Sequence, residues 1–316
     1  GILDHTRLRG ASVTGRRIRA LGLHDALRVS QAWAESAASI PVPTLVPGPG
    51  MGSDTGSRPV GAPRLLDLTE AEAPVQLRLL GGLILSVKGR IVDLGELRPR
   101  ARSALRLLAL RVGGVVHRDD LAALLWPDLD SKAALRSVQV TVSSLRRLLD
   151  TACSRAEFSR SPEPEFELLV RRDQSYGLVL PPGCHSDLQQ LESSLLGARA
   201  ARLDGEPERE QRHLESALKL YAGDLLPEEG PAEWVLAERE RIRLVAAGAA
   251  ESLARSLADR GDRLEAIEVV RNCLRLDQYR DSAWQLLVEL HTVVGNRAAA
   301  EAARLEHGEI LGKLGL

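Results

Sequence analysis

The chain has 316 residues, 44% of them hydrophobic, 27% charged and only 3% aromatic, with a net charge of −1. That is a globular composition, long enough for two or three domains with cores of Leu, Val and Ala. Cys153, Cys184 and Cys273 stand far apart without a C-x-x-C pair, which excludes a disulfide framework and a zinc site and fits a reducing cytoplasm.

In chain order, residues 1–40 hold a basic patch, RLRGASVTGRRIRA, and a helical stretch at 23–38. No signal peptide is visible. Gly1 rather than Met opens the chain, as in a piece of something longer. Residues 41–74 read as a flexible linker, dense in Pro, Gly and Ser up to residue 63. Its GPGMGSD is no phosphate loop, because no Gly-Lys-Ser/Thr follows.

Residues 75–182 read as one module. Alternating apolar residues over 75–95, broken at Gly81-Gly82 and Lys88-Gly89, predict a small antiparallel sheet. RPRARSALRLLALRVGG predicts an amphipathic helix ending at Gly113-Gly114. VVHRDDLAALLWPDLD predicts a short extended pair and a helix stopped by Pro127. A third helix is expected over 132–149, capped by Ser131, then a polar insert at 150–165. FELLVRRDQSYGLVLPP reads strand, turn, strand. Sheet, three helices and hairpin outline a winged helix, a helix-turn-helix variant.

Residues 183–316 read as all helix. A 34-residue register pairs Ala250 with Trp284, Leu253 with Leu287, Leu257 with His291, Gly261 with Gly295, Ala266 with Ala300 and Cys273 with His307. A looser copy has Gly205, Leu214 and Ala217. This is tetratricopeptide spacing. One long helix is expected over 231–259, with Pro231 as its first residue. The fold class is therefore mainly α: a winged helix followed by a tetratricopeptide-like helical domain.

Charge separates the two modules. Residues 75–180 carry 17 Lys and Arg against 12 Asp and Glu; residues 181–316 carry 17 against 24. A polyanion suits the first and a different partner the second. The third helix of the winged helix carries two stripes. Val138, Val142, Leu145 and Leu149 have the spacing of a buried face. Arg136, Val140, Ser143 and Arg147 repeat that spacing on the opposite side. The major groove of DNA admits one helix and is read by its outer face. The two arginines are placed for guanine edges or phosphates, Ser143 for close approach, and Val140 for a thymine methyl. Gln139 at the edge suits adenine, and Arg146 beside it suits phosphate. Arg98, Arg100 and Arg102 open the first helix, where cations oppose the helix dipole and a phosphate would favour them. Arg171 and Arg172 sit in the hairpin, within reach of sugar-phosphate or the minor groove.

The pieces LAALLWPD and VQVTVSSLRRLL, then SYGLVLPPG, resemble the OmpR-type winged helix of the actinomycete antibiotic regulatory protein family. HLESALKLYAGDLLPE and WVLAERERIRL resemble the bacterial transcriptional activator domain that follows it there. The resemblance covers about residues 75–316. It implies a transcriptional activator that binds direct repeats beside a promoter as adjacent protomers and recruits RNA polymerase. It places the recognition helix at 132–149 and the wing at 166–180. The sequence departs from the family pattern at Ser144, at Ser175 before Tyr176, and in the insert.

Two other readings stand beside this one. An interaction scaffold or sensor would use the helical repeats while its winged helix no longer reads DNA. An enzyme has little support: the seven histidines pair with no Cys or Glu at ligand spacing, and no nucleophile or Walker motif is present. No metal or cofactor is expected. No apolar run approaches the ~18–20 residues of a membrane span.

Overall fold

The computed structural model describes residues 73–154 and 166–313. The basic patch, the 23–38 helix, the linker and most of the insert lie outside them.

The chain enters as a three-stranded antiparallel meander of β1 (Val75–Arg78), β2 (Ile84–Val87) and β3 (Arg90–Ile91). Val75 pairs with Val87, and Ser86 with Ile91. The β2–β3 turn puts both Lys88 and Gly89 at positive φ, the twist a two-residue hairpin needs. Helix α1 (Pro99–Leu110) starts on proline, whose missing N–H costs nothing at that position. Strand β4 (Val116–His117), α2 (Arg118–Leu125) and α3 (Ser131–Ser154) follow, then β5 (Leu169–Arg172) and β6 (Ser175–Leu178). The hairpin pairs β6 with both β4 and β5, completing a second antiparallel sheet. Sheet, three helices and wing stand in the expected order.

Backbone contact is tight where α1 meets the wing. Gly113 lies at φ 86° and donates its N–H to the Leu178 carbonyl. A Cβ on Gly177 would sit 2.4 Å from the Gly114 carbonyl oxygen. Ser175 needs no glycine, since its φ is negative and it pairs with His117 inside the sheet.

Two boundaries differ from expectation in this half. The cap of α3 is Asp130, not Ser131: its Oδ1 accepts the N–H groups of Lys132 and Ala133. Either residue type can cap, and the aspartate stands one position earlier. The helix also runs to Ser154, because Cys153 continues the buried stripe one turn beyond Leu149.

The second half is α4 (Asp187–Leu203), α5 (Pro207–Leu220), a 3-10 turn (Pro227–Glu229), α6 (Glu233–Arg260), α7 (Arg263–Leu276), α8 (Asp281–Val293) and α9 (Arg297–Lys313). Ser186 and Gln189 form a reciprocal capping box on α4. The long helix begins at Glu233 with Ala232 as its cap, so Pro231 lies outside it; the 3-10 turn and Gly230 reach that far. The helix pairs end alike. Gly205, Gly261 and Gly295 are left-handed, and the residues after them donate to Ala201, Leu257 and His291. The repeat register is thus a repeated chain reversal as well as a repeated core position.

The core is continuous across residue 182. The first sheet and α1–α3 share one buried cluster with Leu188, Leu191, Leu225, Leu226, Val235 and Ile242. At its centre the buried Asp187 carboxylate accepts the N–H groups of Leu79 (2.8 Å) and Leu80 (2.9 Å). Burial pushes its pKa up, against the pull of those hydrogen bonds. Leu226, buried at φ 45°, donates to Leu79. Arg239 donates to the carbonyls of Leu225, Leu226 and Gly230, which holds that strained turn in place. A second cluster, with Leu253, Val270, Trp284 and Leu287, fills the repeats.

Candidate nucleic-acid interface

Helix α3 forms because its apolar residues recur every three to four positions and bury one face, which outweighs the weak helix propensity of the Ser, Val and Thr in its middle, and its two faces separate cleanly. Val138, Val142, Leu145 and Leu149 are all buried. Arg136, Gln139, Val140, Ser143 and Arg147 are all exposed, Val140 by 61%. Val140 is one of several large apolar side chains left open among the described residues, and it lies between the two arginines of this stripe. The exposed stripe is longer than the sequence reading drew it: Lys132 precedes Arg136 by one turn, and Thr151 follows Arg147 by one. Lys132 was readable from spacing alone; Thr151 was hidden in what looked like an insert.

Hydrogen bonding on this face, among the described residues, involves its hydroxyls rather than its outermost cations. Ser143 donates its hydroxyl to the Gln139 carbonyl (2.9 Å), and Thr151 donates to that of Arg147 (2.7 Å). Both hydroxyls therefore face outward as acceptors. The side chains of Arg136, Arg147 and Lys132 make no hydrogen bond or ion pair among the described residues. Arg146 is different. It is half-buried and leans toward the wing, with a long contact to the Leu169 carbonyl (3.5 Å) and Glu167 3.9 Å away.

The wing comes close to α3. Arg171 braces the hairpin turn by donating Nε–H to the Asp173 carbonyl (3.0 Å), where Asp173 has φ 52°. Arg172 is exposed and has no side-chain partner among the described residues. Gln139, Ser143, Arg146 and Arg171 line one cleft, which Arg118 of α2 also enters. Arg118 was missed in the sequence, because only the tertiary fold brings it there.

The other predicted residues stand apart. Arg98, Arg100 and Arg102 are at the start of α1, the end opposite its Gly113–Leu178 contact with the wing sheet. The first turn of α1 has no acidic residue and no side-chain cap, so nothing there offsets the three arginines.

Little else in the described residues offers chemistry. Burial pushes the Cys153 thiol up to about 11, with Asp150 adding to it, so it stays protonated. No group of three His, Cys, Asp or Glu side chains could hold a metal ion among the described residues. Nor is any described helix long and apolar enough to cross a membrane.

Comparison with known proteins places this geometry. The transcriptional regulatory protein C-terminal family matches residues 94–158, and the bacterial transcriptional activator domain matches residues 186–309. Among solved structures, Mycobacterium tuberculosis EmbR, determined with a low-affinity phosphopeptide, superposes with a TM-score of 0.65 at 22% identity. The match covers 78% of this chain and 62% of the EmbR chain, so the protein spans under two thirds of that relative; the likeness is one of fold. The tetratricopeptide domain of Arabidopsis FLU, 20% identical over 40% of this chain and 98% of its own, gives a TM-score of only 0.28, too low to support a comparison. No curated protein matches the sequence.

Proposed function

The chain has the domain composition of the actinomycete antibiotic regulatory protein family, a transcriptional-regulator winged helix followed by a bacterial transcriptional activator domain, and from that premise we propose that it is a promoter-binding activator. Helix α3 enters the major groove. Arg136 and Arg147 meet guanine edges or phosphates, Gln139 an adenine and Val140 a thymine methyl. Arg146 and the wing residues Arg171 and Arg172 hold backbone, and Arg98, Arg100 and Arg102 extend the phosphate contacts. By resemblance, protomers sit side by side on direct repeats and recruit RNA polymerase.

One observation carries this reading: a helix with a dry apolar face turns to solvent, on the other, cations that have no partner among the described residues. Each phosphate neutralised should contribute about −0.9 to the slope of log affinity against log salt.

The test is selection from random duplex DNA with the full chain and with Arg136→Ala/Arg147→Ala. Enrichment of a tandem motif that the double variant loses supports a sequence-specific activator. A folded wild type that enriches nothing refutes it and favours the scaffold reading, in which the helical repeats hold a protein.

A further inference from the structure

From α4 to α9 each helix of the second half packs on the next, so α4 and α9 are the two outer helices of the described array. Stacked arrays bury their cores between neighbours, and a polar outer face on the end helices keeps copies apart. Interior helices here follow that rule: the open side of α5 carries Glu208, Arg209, Arg212 and Lys219. The end helices do not. The winged-helix core takes the first half of α4, through Leu188 and Leu191, and Ala198 joins Leu214 and Ala247 in the repeat core. The remaining side of α4 bears Leu196 (55% exposed), Ala200 and Leu203 (79% exposed), at the i, i+4, i+7 spacing of a packing face. On α9, Ala303 and Ile310 join Leu287 and Leu290 in that core. Its opposite side bears Ala298, Ala302 and Leu305 (63% exposed), at the same spacing.

The charges beside the two stripes are opposite in sign. Arg199 lies one turn from both Leu196 and Leu203; it is exposed and has no side-chain partner among the described residues. Glu309 follows Leu305 by one turn, with Glu306 beside it. Both are exposed, and neither has an ion pair among the described residues. Pairing α4 with another α4 would set Arg199 against Arg199, and pairing α9 with α9 would gather glutamates. Pairing α4 with α9 brings leucine to leucine and guanidinium to carboxylate. Charge therefore selects a contact between two different patches over a two-fold contact that uses one patch twice.

We propose that a second copy of this chain occupies each end face, α4 of one copy meeting α9 of the next, head to tail. Leu196, Arg199 and Leu203 form one side of the contact, and Leu305 and Glu309 the other. The contact needs no DNA, so it stands or falls apart from the reading above. It does suit tandem sites better than a palindrome, because one operation carries each copy to the next. Each face is a single helix stripe, so the interface is small and association is expected at about 10 μM to 1 mM.

The test is sedimentation equilibrium of the full chain without DNA in about 0.15 M salt, with thermal melting to confirm that each variant folds. Wild-type mass should rise with concentration and pass the dimer, because a head-to-tail contact always leaves two faces open. Leu203→Ser and Leu305→Ser, both at open positions, should each weaken association about tenfold or more, the scale of one buried leucine. Serine adds no charge that could pair across the faces. Arg212→Ala, on the open side of α5, should associate as the wild type does. The decisive sample is an equimolar mixture of the two serine variants. Each keeps one intact face, so the mixture should form a dimer at wild-type strength and stop there. A wild type that stays monomeric up to about 1 mM overturns the proposal and leaves the end faces to another protein. So does a wild type that saturates as a dimer which one serine variant loses and the mixture does not restore, the mark of a two-fold pair. Folded serine variants that associate like the wild type overturn it as well.

Discussion

The two halves of this chain pair their arginines to different extents. In the helical half, Arg202 pairs with Glu210, Arg209 with Glu206, Arg243 with Glu240, Arg304 with Glu301, and Arg255 and Arg280 share Glu251. Several of these pairs are one helical turn apart, the cheapest arrangement a helix offers. In the winged helix, Arg98, Arg100, Arg102, Arg136, Arg147 and Arg172 make no ion pair among the described residues. Helix α3 does carry Asp150 one turn from Arg146 and Arg147, yet neither arginine pairs with it, and in α1 Arg106 pairs with Glu229 from beyond its own helix. Counting charge separates the halves only modestly. Asking which charges are answered separates them further: among the described residues ion pairs hold most arginines of the helical half, and in the winged helix they hold Arg106, Arg118 and Arg146 but leave the stripe of α3 open.

The comparison breaks most violently if the faces of α3 are assigned wrongly. Val142→Asp puts a carboxylate into the dry side of the helix and should cost about 4 kcal/mol or more, enough to unfold the winged helix. Denaturant unfolding followed by circular dichroism measures it; a stable, folded variant would mean that Val142 is not core. Next comes the seam between the halves. Asp187→Ala strips the acceptor from the buried N–H groups of Leu79 and Leu80 and should cost about 3–5 kcal/mol. If the halves are independent, that variant melts in two steps with the repeats unchanged; if they share the core described above, both lose stability together.

The seam is also where the sequence was least legible. The two stripes of α3, the wing and the 34-residue register all repeat a local period, so each could be read from neighbours in the chain. Asp187 has no such signal. It looks like an ordinary first-turn acid of α4, yet its partners are 108 and 107 residues away. Arg118 likewise reads as a residue at a helix start, and only the packing of the wing turns it toward α3. Arg146 stands next to Arg147 in sequence, but its half-buried position beside Leu169 was set by β5. Ser131 and Asp130 show a subtler limit: both residues cap well, so sequence chemistry alone left the choice between neighbours open.

Removing an arginine from each half sharpens the contrast itself. Arg136→Ala or Arg147→Ala should weaken specific DNA binding by about 1–3 kcal/mol with little change in melting temperature. Arg304→Ala, which breaks an exposed pair in the last helix, should alter stability by no more than about 0.5 kcal/mol and leave the salt slope of DNA binding untouched. A reduced slope in Arg304→Ala would show that the paired half also meets the duplex, and the contrast would lose its functional meaning.

The smallest expected effect concerns pH and belongs to the helical half. His291 occupies the register position of Leu257, buried in α8 with Nε2 3.4 Å from Arg271. Burial lowers its pKa below the ordinary 6.5, and the Arg271 charge lowers it further. His213, on α5, is lowered by burial and by Arg209 and Arg212. A base depressed in the folded state takes up its proton more readily when unfolded. Its contribution to stability is therefore full above about pH 6.5 and is lost as pH falls toward the folded value. His291→Leu restores the side chain that the preceding repeat already uses and removes one of the two groups. The variant should melt slightly higher than the wild type at about pH 7.5, and the gap should widen at about pH 5.5. A gap that stays constant with pH would mean that leucine simply packs better and that protonation of His291 is not what acid exploits. Because the winged-helix core contains none of these histidines, DNA affinity at neutral pH should be the same in both proteins, which keeps the acid-sensitive half and the anion-seeking half distinct.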